Sequence, residues 1–118
     1  MPTKLESNAM PDRITFNLDN GAVSFDCPPN TILELNSALD TLGQRLKAVA
    51  ANPKSPQPAV EFRYTDGMLL ELFCNPNIWP SPFAAKLNMT LKTERVRLST
   101  ELLLSQMRED ISQYLERQ

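Results

Sequence analysis

The chain has 118 residues, 42% of them hydrophobic and 22% charged, which fits one globular domain and is too apolar for a disordered polymer. Its formal net charge of −2 provides no general attraction to nucleic acid or anionic membranes. No run approaches the roughly 18–20 apolar residues of a membrane-spanning helix, so no membrane partner is expected.

The opening stretch MPTKLESNAM is polar and unpatterned. Residues 1–9, ending in Ser7-Asn8-Ala9, read as a disordered leader or a tag scar, and a single domain is expected over 10–118. From Arg13 a period of two sets in, with Ile14, Phe16 and Leu18 alternating with Thr15 and Asn17. It resumes after Asn20-Gly21 with Val23, Phe25 and Cys27. Asn-Gly between two alternating runs is a strong hairpin signal, because both residues accept the positive φ that a tight turn requires.

Pro28-Pro29 ends the second strand, since proline cannot donate to a ladder. Thr31, with Glu34 three residues later, reads as a capping box at a helix start. Leu35, Leu39, Leu42, Leu46 and Val49 then step by four and three along one helical face, with Asp40, Gln44 and Lys47 turned away from it. Gly43 falls in the helix interior, either for close packing or by simple tolerance. The helix should stop near Asn52, because Pro53, Pro56 and Pro58 prevent its continuation.

A second hairpin is expected from Val60, Phe62 and Tyr64 through Asp66-Gly67 to Cys74. The nearly unbroken apolar run Met68–Phe73 reads as a central strand buried on both faces. A proline-rich loop follows, carrying Ile78, Trp79 and Phe83 among Pro76, Pro80 and Pro82. Alternation returns with Leu87, Met89 and Leu91, then changes phase at Val96 and Leu98. That phase change predicts a bulge or turn near Thr93-Glu94. Ser99 or Thr100 could cap a last helix whose apolar face holds Leu103, Leu104, Met107, Ile111, Tyr114 and Leu115. A faint echo links the two hairpins, each followed by a Cys and a proline-containing turn. Hairpins share such residues for physical reasons, and coincidence is preferred over duplication.

The expected fold is α+β: an antiparallel sheet of four to six strands with two helices packed on one face, in the order ββα-βββ(β)-α. The chain has no histidine, which removes the commonest general base and transition-metal ligand, and three glycines cannot build a phosphate cradle. Cys27 and Cys74 have no metal-ligand spacing and read as buried free thiols in a cytoplasmic protein. Asp26, Glu61 and Glu71 occupy positions where a strand faces solvent. No cofactor, metal or catalytic residue is therefore expected.

What remains is a non-enzymatic protein-interaction module: a small cytoplasmic adaptor, assembly factor or chaperone-like protein. Its expected partner is another protein or a second copy of itself. Its expected contact residues are Ile78, Trp79 and Phe83 in the proline loop, where an ordered aromatic resembles an interface hot spot, and Leu102, which extends the apolar arc of the last helix. Trp79 has a rival role as a plug for the open end of the core. One alternative function is a nucleic-acid-binding sheet using Lys86, Lys92, Arg95 and Arg97. It is weakened by Glu94 and Glu101 within that segment. A second is a small-ligand or enzymatic domain without histidine chemistry.

Overall fold

The computed structural model describes residues 12–118; the expected leader or scar over residues 1–9 and the domain start at Met10 lie outside the described residues. The element order is ββα-ββββ-α, an α+β fold with a two-stranded and a four-stranded antiparallel sheet.

Strands β1 (Arg13–Leu18) and β2 (Gly21–Asp26) form the first hairpin, with Leu18 opposite Gly21. The turn is therefore Asp19-Asn20, one residue earlier than the Asn-Gly signal places it. Gly21 opens β2 at φ +153°, a conformation that L side chains rarely adopt. Ile14, Phe16 and Phe25 are buried. The solvent side is laced by Arg13 Nε donating to Asp26 Oδ1 at 3.0 Å and by a Thr15–Ser24 hydroxyl pair at 2.6 Å.

Helix α1 (Pro29–Ala51) begins two residues before the expected capping box. Its N-cap is Pro28, with no side-chain cap; Thr31 and Ile32 instead donate their amides to the Pro28 carbonyl at 3.0 and 3.1 Å. Pro29 explains the early start, because its fixed φ suits the first turn and its missing N–H would have been an unpaired donor anyway. Leu35, Leu39, Leu42, Leu46 and Val49 are all buried, and the helix ends with Asn52 as C-cap. At Gly43 an added Cβ would meet nothing within 4 Å, so no packing within this chain requires glycine there. A glycine in a helix interior costs about 1 kcal/mol relative to alanine, and here no internal contact offsets that.

The four-stranded sheet is a meander of β3 (Val60–Thr65), β4 (Leu69–Cys74), β5 (Lys86–Lys92) and β6 (Arg97–Leu103) in spatial order β3-β4-β5-β6. Thr65 pairs with Leu69, so the second hairpin turns through Asp66-Gly67-Met68, with Gly67 in the left-handed region at φ +69°. Strand β4 is interior, as expected, but only Leu70, Leu72 and Cys74 are buried; Phe73, on its other face, is 39% exposed. The expectation of burial on both faces is thus corrected. Both helices cover the same sheet face, and the residues of the opposite one, among them Glu61, Arg63, Asn88 and Glu101, face solvent.

The phase change after Leu91 is a turn, as expected: Lys92 pairs with Arg97, and Thr93 donates its amide to the Val96 carbonyl at 2.7 Å. Ser99 and Thr100 do not cap a helix. They lie within β6, opposite Thr90 and Met89, and helix α2 (Leu104–Glu116) starts directly where the strand ends. The Leu104 amide is taken up by the Ala85 carbonyl at 3.0 Å. Leu102 is consequently a strand residue paired with Leu87 and only 2% exposed, not part of a surplus helical arc.

One core joins both helices, the covered face of the large sheet and the inner side of the first hairpin. That hairpin forms a separate sheet and is tied to α2 by polar links. Tyr114 donates its hydroxyl to the Cys27 carbonyl at 2.8 Å, and Arg117 Nη2 donates to the Arg13 carbonyl at 2.9 Å. The echo between hairpins ends at the turns. The first leads into a 23-residue helix, the second into a 3-10 turn and another strand, and the two lie in different sheets. Among the described residues, no helix is long and apolar enough to cross a membrane.

Candidate functional site

The proline loop is held at both ends by hydrogen bonds. Asn75 Oδ1 accepts from the Asn77 amide at 3.0 Å and from Asn77 Nδ2 at 2.9 Å, closing the 3-10 turn Pro76–Ile78. Asn77 then pairs reciprocally with the backbone of Gln57 in the preceding connector, its Oδ1 accepting and its Nδ2 donating, both at 2.8 Å. Farther on, the amides of Ala84 and Ala85 donate to the Ser81 and Pro82 carbonyls at 3.2 and 3.4 Å. With prolines fixing φ between these ties, the side chains of the loop are presented from an ordered backbone.

Trp79 and its neighbours divide their roles. Trp79 is half-buried and packs against the core, and its buried indole Nε1 has no hydrogen-bond partner among the described residues. One side of Trp79 therefore packs on the core and the rest reaches the surface. Ile78 is 65% exposed and Phe83 is 85% exposed. Each flanks a hollow against α1. One, of about 390 Å³, lies between Ile78, Trp79 and Pro80 and the Val49–Ala50 end of the helix. The other, of about 430 Å³, lies between Pro82 and Phe83, the α1 residues Gly43 and Lys47, and the start of α2 at Leu104. Of the expected contact residues, three thus share this loop, and Leu102 lies inside the core.

Gly43, Lys47 and Arg108 border the larger hollow and are not among the contact residues expected from the sequence. The signal for the first two was present, because Leu33, Asn36, Asp40, Gly43 and Lys47 repeat at three- and four-residue steps on the flank of α1 beside its buried leucines. Arg108 crosses from α2 to pair with Asp40 and donates from Nη1 to the Asn36 carbonyl at 3.4 Å. Only the packing of the two helices brings it there.

Lys86, Lys92 and Arg97 do lie on the open sheet face, and Arg95 lies in the β5–β6 turn. Lys92, Arg95 and Arg97 gather at the β5–β6 turn, and Lys86 stands apart from them. Lys92 and Arg97 pair at one end of the strands while Lys86 sits six residues away, roughly 20 Å at strand rise. Glu61, Glu71 and Glu101 lie on the same face, and Arg63 Nη1 pairs with Glu71 at 3.3 Å. Among the described residues, no group of three or more His, Cys, Asp or Glu is placed to hold a metal ion.

Cys27 and Cys74 are free and buried. Burial first, and then the Asp12 carboxylate, push the Cys27 thiol from its ordinary 9.0 up to about 11. Burial raises Cys74 as well. Tyr114 is pushed from 10.0 up to about 12, mainly by burial and then by the charges of Asp12 and Cys27, with Arg117 acting in the opposite sense. The folded state therefore holds protons that the unfolded chain releases. The stabilisation is complete below about pH 9 and is lost as pH rises through 9–11 for Cys27 and 10–12 for Tyr114. The urea midpoint should fall steadily above pH 9, and a midpoint level up to pH 11 would contradict this assignment.

Comparison with protein-family models, with curated proteins and with solved structures finds no match to this chain.

Proposed function

We propose that this protein is a non-enzymatic protein-interaction module, of adaptor, assembly-factor or chaperone-like type, working in the reducing cytoplasm. The observation that carries the reading is the pair Ile78 and Phe83, two large apolar side chains more than half exposed on a loop that hydrogen bonds and prolines hold in place. Exposing such residues from a mobile loop would be unremarkable. Holding them rigid lowers the entropy lost when a partner covers them, and each stands beside a hollow that a partner's side chain can fill. Two free, unbridged cysteines accord with a reducing compartment.

The nucleic-acid reading has less behind it, because Lys86 stands apart from the other three cations and Glu61, Glu71 and Glu101 share their sheet face. A small-ligand site would draw polar groups together in a closed cavity, whereas the hollows here lie open to solvent.

The test is affinity purification from the native source with the wild-type protein and with the Ile78→Asp and Phe83→Asp variants. Both positions are exposed, so thermal stability should change little, by about 0.5 kcal/mol or less. Associates retained by the wild type should be lost from one or both variants. If both variants keep every associate, the loop is not the docking surface.

A further inference from the structure

We infer that the outer face of α1 and α2 is a homodimer interface, on which α1 of a second copy lies antiparallel and Phe83 of each copy fills a hollow of the other. The inference rests on reading Phe83 as a protein-binding side chain, and it names the partner for that side chain.

The space between the two helices is a channel with unlike ends. Arg108, bound to Asp40 and to the Asn36 carbonyl, crosses its middle and lines the hollows on both sides. One hollow carries Lys47 and the projecting Phe83. The other, of about 490 Å³, is lined by Ile111 and Leu115 together with Asn36, Arg108, Ser112 and Glu116. One end is thus a cation with a knob, and the other is a carboxylate beside a hollow that offers Ile111 and Leu115. In a two-fold dimer each patch meets its own counterpart turned end for end, so unlike ends are what a self-complementary surface requires.

The exposed stripe of α1 is compatible with an axis at Asp40. An antiparallel second helix places residue 40 + n opposite 40 − n. Gln44 then lies level with Asn36 and Gly43 level with Ser37, the latter two small residues that let the backbones approach. Lys47 lies over Leu33, which is 52% exposed, with its ammonium group directed towards Glu116 of the second copy. At the axis the Asp40–Arg108 pair meets its twin, so neither carboxylate is brought there without its own cation. Among the described residues neither Lys47 nor Glu116 has an ion-pair partner within the chain. A close helix–helix approach also gives Gly43 the use that its own chain does not supply.

Sedimentation equilibrium of the full chain from about 1 μM to about 1 mM tests this, with dimer expected within that range. Phe83→Asp should weaken association roughly 100-fold, the size of a central hot spot. Lys47→Glu and Glu116→Lys should each weaken it about tenfold, while the double reversal recovers most of the loss, since it restores opposite charges only across the interface. A chain that stays monomeric overturns the inference. So does a dimer indifferent to Phe83→Asp, or one that the double reversal fails to restore. If the wild type is monomeric but Phe83→Asp still sheds associates, only the dimer falls. If that variant keeps both its dimer and all its associates, the protein-binding role of Phe83 falls too.

Discussion

Replacing Asp110 with alanine should lower the unfolding free energy by about 2–3 kcal/mol, read as a drop in urea midpoint at unchanged slope. Asp110 is 4% exposed and is the main polar anchor of the first hairpin. Its Oδ2 accepts from the Asn17 backbone amide at 2.8 Å, and its Oδ1 accepts from Asn17 Nδ2 at 2.8 Å and Gln106 Nε2 at 3.0 Å. Among the described residues, no strand of the large sheet pairs with that hairpin. Hydrogen bonds to a charged group contribute about 1.5–3 kcal/mol, and removing the acceptor leaves its donors unpaired. Asn17 itself is exposed, so water replaces part of what is lost, and the expected cost stays below the sum of three such bonds. Asp110→Asn should fall between wild type and alanine, because an amide oxygen accepts but the amide nitrogen faces donors. Hydrogen exchange adds a local readout: β1 and β2 should lose protection before β4 and β5 do. A loss of less than about 0.5 kcal/mol would mean that apolar contacts alone hold the hairpin.

Leu102→Ala should cost about 3 kcal/mol, within the range for leucine truncation in a packed core. The contrast with Phe83→Ala makes the measurement decisive. Both are large apolar residues that the sequence singles out as contact positions, yet one is 2% and the other 85% exposed. Phe83→Ala should shift stability by no more than about 0.5 kcal/mol. If Leu102→Ala were equally mild, Leu102 would not be packed against Leu87 in the β5–β6 ladder, and the boundary between β6 and α2 would have to move.

That boundary is where the sequence is least legible. Leu98, Thr100 and Leu102 repeat at two, and Leu104, Met107, Ile111 and Tyr114 repeat at three and four, so the change of period falls inside the run Leu102-Leu103-Leu104. Ser99-Thr100 ahead of that run imitates a helix cap. What keeps these residues in a strand is pairing with Thr90 and Met89, and Lys86 opposite Leu103 carries the ladder to its end. Such partners lie far away in the chain and leave no local mark. The same holds for β4. Its composition suits burial on two faces, but whether a second layer arrives is a matter for elements elsewhere, and none does.

Within the candidate site, the loop and its aromatics were legible because prolines and a lone tryptophan stand out in composition. Which side chain turns in and which turns out was not. Trp79 packs inward while Ile78 and Phe83 project, an outcome set by the pairing of Asn77 with Gln57 and by the position of α1 beneath the loop.

The sequence by itself determined the α+β class, the two hairpins, the inner face and the end of α1, and the turn after β5. Each follows from interactions among residues close in the chain: side-chain period, proline stops and residues suited to tight turns. Tertiary structure alone decided which sheet face is covered, where β6 yields to α2, that Leu102 is core, and that Phe83 stands free beside the α1–α2 channel. Those outcomes depend on strand pairing and layer packing between distant segments, where the same local pattern is compatible with burial or exposure until its neighbours arrive.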